Sequence, residues 1–141
     1  MLIPAISVKQ PWADRLGTPA QSVETRIWRT AYRGPLAICS AALPKGCGVT
    51  SRAVCIRFLR HCRDMSVEDE RDAGCPVYEK AVAWRFDSRI IRLRETAVVR
   101  GRLGIWCLDL PEYEFLSPDD LVLARRWLEW SKENGYLEKI K

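Results

Sequence analysis

The sequence predicts an α+β domain, a small mixed β-barrel with flanking helices and a C-terminal helix, and three observations carry that expectation. First, Ser22-Val23-Glu24-Thr25-Arg26-Ile27-Trp28 alternates polar and apolar residues, the period-2 pattern of a strand with one buried face. Second, apolar runs at Leu36–Ser40, Val77–Trp84, Arg89–Leu93 and Thr96–Leu110 are joined by short turns, the rhythm of a closed or half-closed barrel. Third, Ser117-Pro118-Asp119-Asp120 supplies a cap, a proline at the first helical position and acids in the first turn, so it opens a helix over about 118–134. The 141 residues show no repeat or low-complexity tract and fit one domain, 1–141, large enough to bury a core without staples.

Taken in order, Met1–Ile6 is apolar but lacks a basic leader and a cleavage site, so it reads as a first strand and not as a signal peptide. Pro11 near the start of a short helix, Pro11–Leu16, costs no hydrogen bond, and Gly17 is its stop. In the strand Ser22–Trp28, Val23, Thr25 and Ile27 fall on one face and Glu24, Arg26 and Trp28 on the other. Tyr32-Arg33-Gly34-Pro35 is a turn into the strand Leu36–Ser40, and Pro44–Gly48 is a loop. Thr50 or Ser51 can cap a helix over about Ser51–Arg63, with Val54, Phe58 and Cys62 as an apolar stripe beside Cys55 and Leu59. Its other side, Arg52, Arg57, Arg60 and Arg63, reads as a solvated face, or as a basic helix face that could touch phosphate beside a barrel cleft.

Ser66-Val67-Glu68-Asp69 resembles a capping box for a short turn ending near Gly74-Cys75-Pro76. Val77–Trp84 and Arg89–Leu93 read as separate strands, the second with Arg92 and Arg94 on one face. Thr96–Leu110 reads as a strand pair or one long bulged strand that bends at Gly101 and Gly104. In the last helix Leu121, Ala124 and Leu128 form the buried stripe, widened by Leu123 and Trp127, and Asn134-Gly135 stops it. Trp127 and Trp130 read as core or rim packing, and Tyr136–Lys141 as a short tail.

Composition narrows the function. No apolar run approaches about 18 residues, so no membrane-spanning helix is expected. The six cysteines, in a chain without an export signal, read as reduced thiols of a cytoplasmic protein. A zinc site would have to come from Cys47, Cys55, His61 or Cys62, which lack a regular ligand spacing; neither a metal nor a cofactor is expected. Residues 1–108 carry 18 Lys+Arg against 10 Asp+Glu, while residues 109–141 carry 5 against 8, so the positive charge belongs to the body of the domain. Arginine outnumbers lysine 17 to 6, and arginine forks onto phosphates and stacks on bases. Phosphate-loop, metalloprotease and catalytic-triad signatures are missing, and there is one histidine.

What is concentrated is a set of base-sized polar and aromatic groups in Ser7–Pro35. Glu24 and Arg26, two positions apart on a strand, can hold a planar polar ligand or simply hold each other. Ser7-Val8-Lys9-Gln10-Pro11-Trp12-Ala13, then Gln21–Trp28, then Tyr32-Arg33-Gly34-Pro35-Leu36-Ala37-Ile38 resemble, in order, the S-x-K-Q-P-W-A, G-x-K-x-I/V-E-x-R-x-W and Y-R-G-x-L-x-I pieces of the ASCH (ASC-1 homology) domains. That family belongs to the PUA-like superfamily. Where it commonly has a lysine three residues before the glutamate, this chain has Gln21, and Lys9 is the amine that could stand in.

The resemblance implies a PUA-like barrel with a cleft that binds RNA, single-stranded nucleic acid or a modified nucleoside. The expected ligand-binding residues are Lys9, Gln10, Trp12, Gln21, Glu24, Arg26, Trp28, Tyr32 and Arg33, with Arg85, Arg92, Arg94 and Arg100 on the nucleic-acid backbone. The alternative is a small hydrolase, an amidohydrolase on acylated cytidine or a ribonuclease, with Glu24 as acid/base and Lys9 as its amine.

Overall fold

The structure is a computed structural model and describes residues 1–140. Six strands, β1 (Leu2–Val8), β2 (Val23–Arg26), β3 (Gly34–Ser40), β4 (Ala53–Asp64), β5 (Val82–Arg92) and β6 (Trp106–Asp109), form one sheet in the order β2-β5-β4-β3-β1-β6. β1 and β3 are parallel, pairing Ala5 with Ala37 through Val8 with Ser40, and the other neighbours are antiparallel, so the sheet is mixed as expected. The short helix α1 (Trp12–Leu16) follows β1, α2 (Glu70–Ala73) lies between β4 and β5, and α3 (Pro118–Glu133) is the long C-terminal helix.

One hydrogen bond reveals the curvature. β2 stands four places from β1, which in a flat sheet at about 4.8 Å per strand would be about 19 Å away. Yet Arg26 Nη2, on β2, donates to the Ser7 carbonyl of β1 at 2.6 Å. An arginine side chain cannot span that gap, so the sheet curls until its edge approaches β1, giving the half-closed barrel.

The curl leaves two apolar layers. Ile6, Val8, Leu36, Ile38, Leu59 and Trp84 fill one, with Ala13 and Leu16 of α1 packed on it. Ile3, Ala5, Ala37, Ile56 and Ile91 fill the other, closed by Ala124 of α3 and flanking Leu121 and Trp127. Because both faces of β3 are covered, all seven of its residues are buried. Cap chemistry places the helices where their sequence puts them: Ser117 Oγ accepts the Asp120 amide at 3.2 Å with Pro118 at the first position, and Asn134 ends the helix. Ser66 and Asp69 make a reciprocal capping box before α2, which Gly74 ends at φ +71°. Ser131 Oγ of α3 donates to Arg33 O at 2.7 Å, and Gly34, at φ +135°, leaves the space for it, since a Cβ there would lie 2.6 Å from that hydroxyl.

Four segments depart from their sequence reading. The strand expected over Ser22–Trp28 ends at Arg26, and Ile27, expected on the face of Val23 and Thr25, is exposed beyond it. The helix expected over Ser51–Arg63 is the central strand β4. A run buried on both sides has no polar face to betray its period, and register shifts between Arg57 and Leu59 and between Leu59 and His61 break the alternation, so the surviving spacing imitates a helix. Arg57 is consequently not on a solvated face but is 1% exposed in the core. Val77–Trp84 and Arg89–Leu93 are not two strands: β5 is continuous from Val82 to Arg92, after a turn in which Lys80 takes φ +64°. Thr96–Leu110 contributes only β6, and residues 100–105 form an irregular loop. No helix among the described residues is long and apolar enough to cross a membrane.

Candidate functional site

Where β2 curls toward β1, a cleft of about 510 Å³ opens, lined by Ser7, Val8 and Lys9 of the first strand and its exit, Trp12 of α1, and Gln21, Glu24, Thr25 and Arg26 around β2. Ala41, Ala73, Cys75 and Leu103 complete the wall. The volume is that of a small-molecule site.

Its polar centre is Glu24 with Arg26. Glu24 Oε2 lies 3.0 Å from Arg26 Nη2, with side chains 12% and 24% exposed, so the pair is not the solvated surface pairing that an open strand would give. Glu24 Oε1 also accepts the Thr25 amide at 3.1 Å, and Arg26 Nη2 reaches Ser7 O. Burial pushes the Glu24 carboxyl above its usual range, against the opposing pull of Arg26 and the Thr25 N–H. Among the described residues Arg26 Nε, also buried, has no partner.

Gln21 is committed to the fold. Its Oε1 accepts Arg15 Nε at 3.0 Å and its Nε2 donates to Val23 O at 3.1 Å, while its carbonyl accepts Arg57 Nη1 at 2.9 Å. Arg57 also donates to Leu16 O at 2.6 Å and to Asp87 O at 3.1 Å, so one buried guanidinium ties the cleft floor to β5. Trp12 is half-buried with Arg15 over its ring, 5.2 Å from the centroid, and its edge lies against Gly74. Lys9 is exposed at the mouth.

Of the nine ligand-binding residues expected from the sequence, Lys9, Trp12, Gln21, Glu24 and Arg26 therefore line one cleft, and four do not. Gln10 is buried and fastens α1 to the following loop through Val49 O at 2.7 Å and Asp14. Tyr32 is a core residue with no exposed surface, its hydroxyl donating to Pro35 O. Arg33 donates to Thr30 O and Tyr32 O, and Trp28 packs edge-on against Trp84 with ring centroids 4.8 Å apart. Three of the arginines expected on a nucleic-acid backbone have partners within the domain: Arg85 with Asp69 and Asp72, Arg92 with Gly17 O, and Arg94 with Tyr113 O. Arg100 is exposed and unpaired among the described residues.

Ala73, Cys75 and Leu103 are cleft walls the sequence did not mark, since they arrive from the end of α2, the turn after it and a distant loop. The potential zinc ligands are scattered: Cys55 is buried in the core, Cys47 is exposed, and no three such ligands converge among the described residues.

No family model and no curated protein matches the sequence. Solved structures do match. The crystal structure of ASCH from Zymomonas mobilis aligns over 85% of this chain and 93% of its own, with a TM-score of 0.52 at 16% identity, and that of a mutant of the same protein aligns over 85% and 96%, with a TM-score of 0.50 at 17%. The chain has the ASCH fold. Within it, the S-x-K-Q-P-W segment and the strand carrying Glu24 and Arg26 form facing walls of the cleft, which gives the three-piece sequence pattern a spatial meaning.

Proposed function

We propose that this ASCH-fold protein is a binding module for RNA or a modified nucleotide that takes one base into the cleft between β1 and β2. The observation that carries this reading is the shielded Glu24–Arg26 pair set in a cleft walled by Trp12, Val8 and small apolar residues. A carboxylate accepts from an amino or imino N–H on a base edge, a guanidinium donates to a carbonyl, and an aromatic wall favours a flat ring. At side chains shielded from water such contacts discriminate strongly between bases.

A second reading, hydrolysis of an acyl group on a base or of a phosphodiester, is favoured by Lys9 and Glu24 lining the same cleft and by the raised Glu24 carboxyl, which suits proton transfer. Against an amine at the position the family commonly fills with lysine stands Gln21, whose amide is held by Arg15 and Val23 O. One preparation tests both: binding anisotropy with single-stranded RNA and titration with nucleosides, alongside chromatography after incubation with acylated cytidine and RNA. Binding without product supports the module, product formation supports the enzyme, and neither binding nor product removes both readings.

A further inference from the structure

Part of the arginine-rich body is paired with carboxylates. Arg29 pairs with Asp64, Arg60 with Asp87, Arg63 and Arg85 with Asp69, and Arg125 with Glu112. Lys9, at the cleft mouth, and Arg100 and Arg102, on the loop before β6, are all exposed, and none has a carboxylate or hydrogen-bond partner among the described residues. The loop that carries the two arginines is held there from both ends. Val99 is buried and its amide donates to Ser51 O at 2.8 Å, while Trp106 is buried and pairs with Ala5 across β1 and β6. Between these anchors Gly101 lies so close to β1 that a Cβ would sit 2.5 Å from Ser7 Oγ, itself a cleft residue. Arg100 and Arg102 therefore flank a point of contact with the cleft wall, and Leu103, fully exposed though apolar, stands at its edge.

Resting on the base-binding reading above, we infer that the cleft takes its base as part of a phosphorylated nucleotide, with the phosphate held at the mouth by Lys9, Arg100 and Arg102, and not as a free nucleoside. Three unpaired cations, one at the cleft mouth and two on the loop that touches its wall, supply an anion site, while the shielded Glu24–Arg26 pair supplies the base end. Leu103 then loses its water-facing exposure against the sugar. The phosphate can belong to a mononucleotide or to a strand, and the test separates them.

The four ribonucleosides, their 5′- and 3′-monophosphates and the matching single-stranded tetranucleotides are titrated against the parent protein and against an Arg100→Gln/Arg102→Gln double variant. Both substitutions lie on exposed loop positions, and melting curves verify the fold. For the preferred base, a phosphorylated form is expected to bind at least about 10-fold tighter than the nucleoside at low salt, and this ratio to fall toward one in the double variant. A tetranucleotide that binds tighter than both monophosphates assigns the phosphate to a strand, with a log–log salt slope of about −2 for three contacts; a monophosphate that matches it assigns a free nucleotide. Nucleoside and nucleotide binding alike, or a preference that survives in the double variant, overturns this inference and leaves the base cleft standing. Failure of every base-bearing probe to bind overturns both.

Discussion

Replacing Glu24 by glutamine separates what the carboxylate does for the fold from what it does for a ligand. Two unit charges at the 3.0 Å of the Glu24–Arg26 contact attract by about 5 kcal/mol at an effective dielectric constant of ~20. The carboxyl pKa is nevertheless raised above 4.5, so the penalty of burying the charge exceeds that attraction together with the Thr25 hydrogen bond. A folded-state pKa above the unfolded one means that Glu24 contributes stability in full below about pH 4.5, and that this contribution is lost as the pH rises through the folded value.

Glutamine cannot ionise. Its carbonyl still serves the Thr25 amide, and Arg26 keeps Ser7 O. Relief of the buried charge thus offsets the lost charge-assisted bond, itself about 1.5–3 kcal/mol, and the net change at pH 7 is expected to stay within about 1 kcal/mol. As the pH falls from 7 to 4 the parent gains the Glu24 contribution and the variant does not, so the difference should widen in favour of the parent. Ligand affinity should fall by roughly 10- to 200-fold, about 1–3 kcal/mol, because an amide donor now meets a base-edge N–H. Urea melts at pH 4 and 7 and titration with the preferred nucleotide measure both effects. Undiminished affinity in the folded variant refutes a recognition role for Glu24. A loss of several kcal/mol at pH 7 that shrinks toward pH 4 refutes the balance of burial over pairing.

Arg57→Ala strips the donors from three carbonyls in the core, those of Leu16, Gln21 and Asp87, so it should cost at least about 3 kcal/mol in urea unfolding; a loss below 1 kcal/mol would show that these groups find other partners. Asp69, buried between Arg63 and Arg85, has its carboxyl held below 3.8, because the Ser66 amide and the guanidinium of Arg63 outweigh the opposing cost of burial. Its contribution is present above about pH 3.8 and disappears as the pH drops through the folded value, so Asp69→Asn should cost on the order of 2 kcal/mol at pH 7 and progressively less in stronger acid. A cost independent of pH down to pH 2 would contradict this assignment. Tyr32→Phe removes one buried hydrogen bond to Pro35 O and should lower stability by about 1 kcal/mol without changing ligand affinity, as measured by melting and titration of the same sample; weakened binding in a folded variant would place Tyr32 in recognition after all.

Local chemistry in the sequence determined much of this protein. The period-2 run at Val23–Arg26, the turn into β3, the Ser66–Asp69 capping box and the Ser117-Pro118 helix start all depend on groups within a few residues of one another, and each was legible. The three-piece resemblance pointed to the fold and to the cleft that the first 26 residues help to wall. Tertiary structure alone decided the rest. β4 carries bulges imposed by its pairing with β5, so its apolar spacing cannot be assigned a period without its neighbours. Tyr32, Arg33 and Trp28 sit in the same stretch as Glu24, yet Tyr32 turns to the core, Trp28 packs on Trp84 and Arg33 donates to its own turn, because which side of a curled sheet faces a cleft depends on strands still to come. Charge shows the same limit. Composition counts arginines, whereas pairing decides which remain available, and a partner such as Asp69 for Arg85 is brought near only by the packed chain. That is why Arg29, Arg60, Arg63 and Arg85 of the basic body are paired while the loop around Gly101 leaves Arg100 and Arg102 unpaired beside the cleft wall.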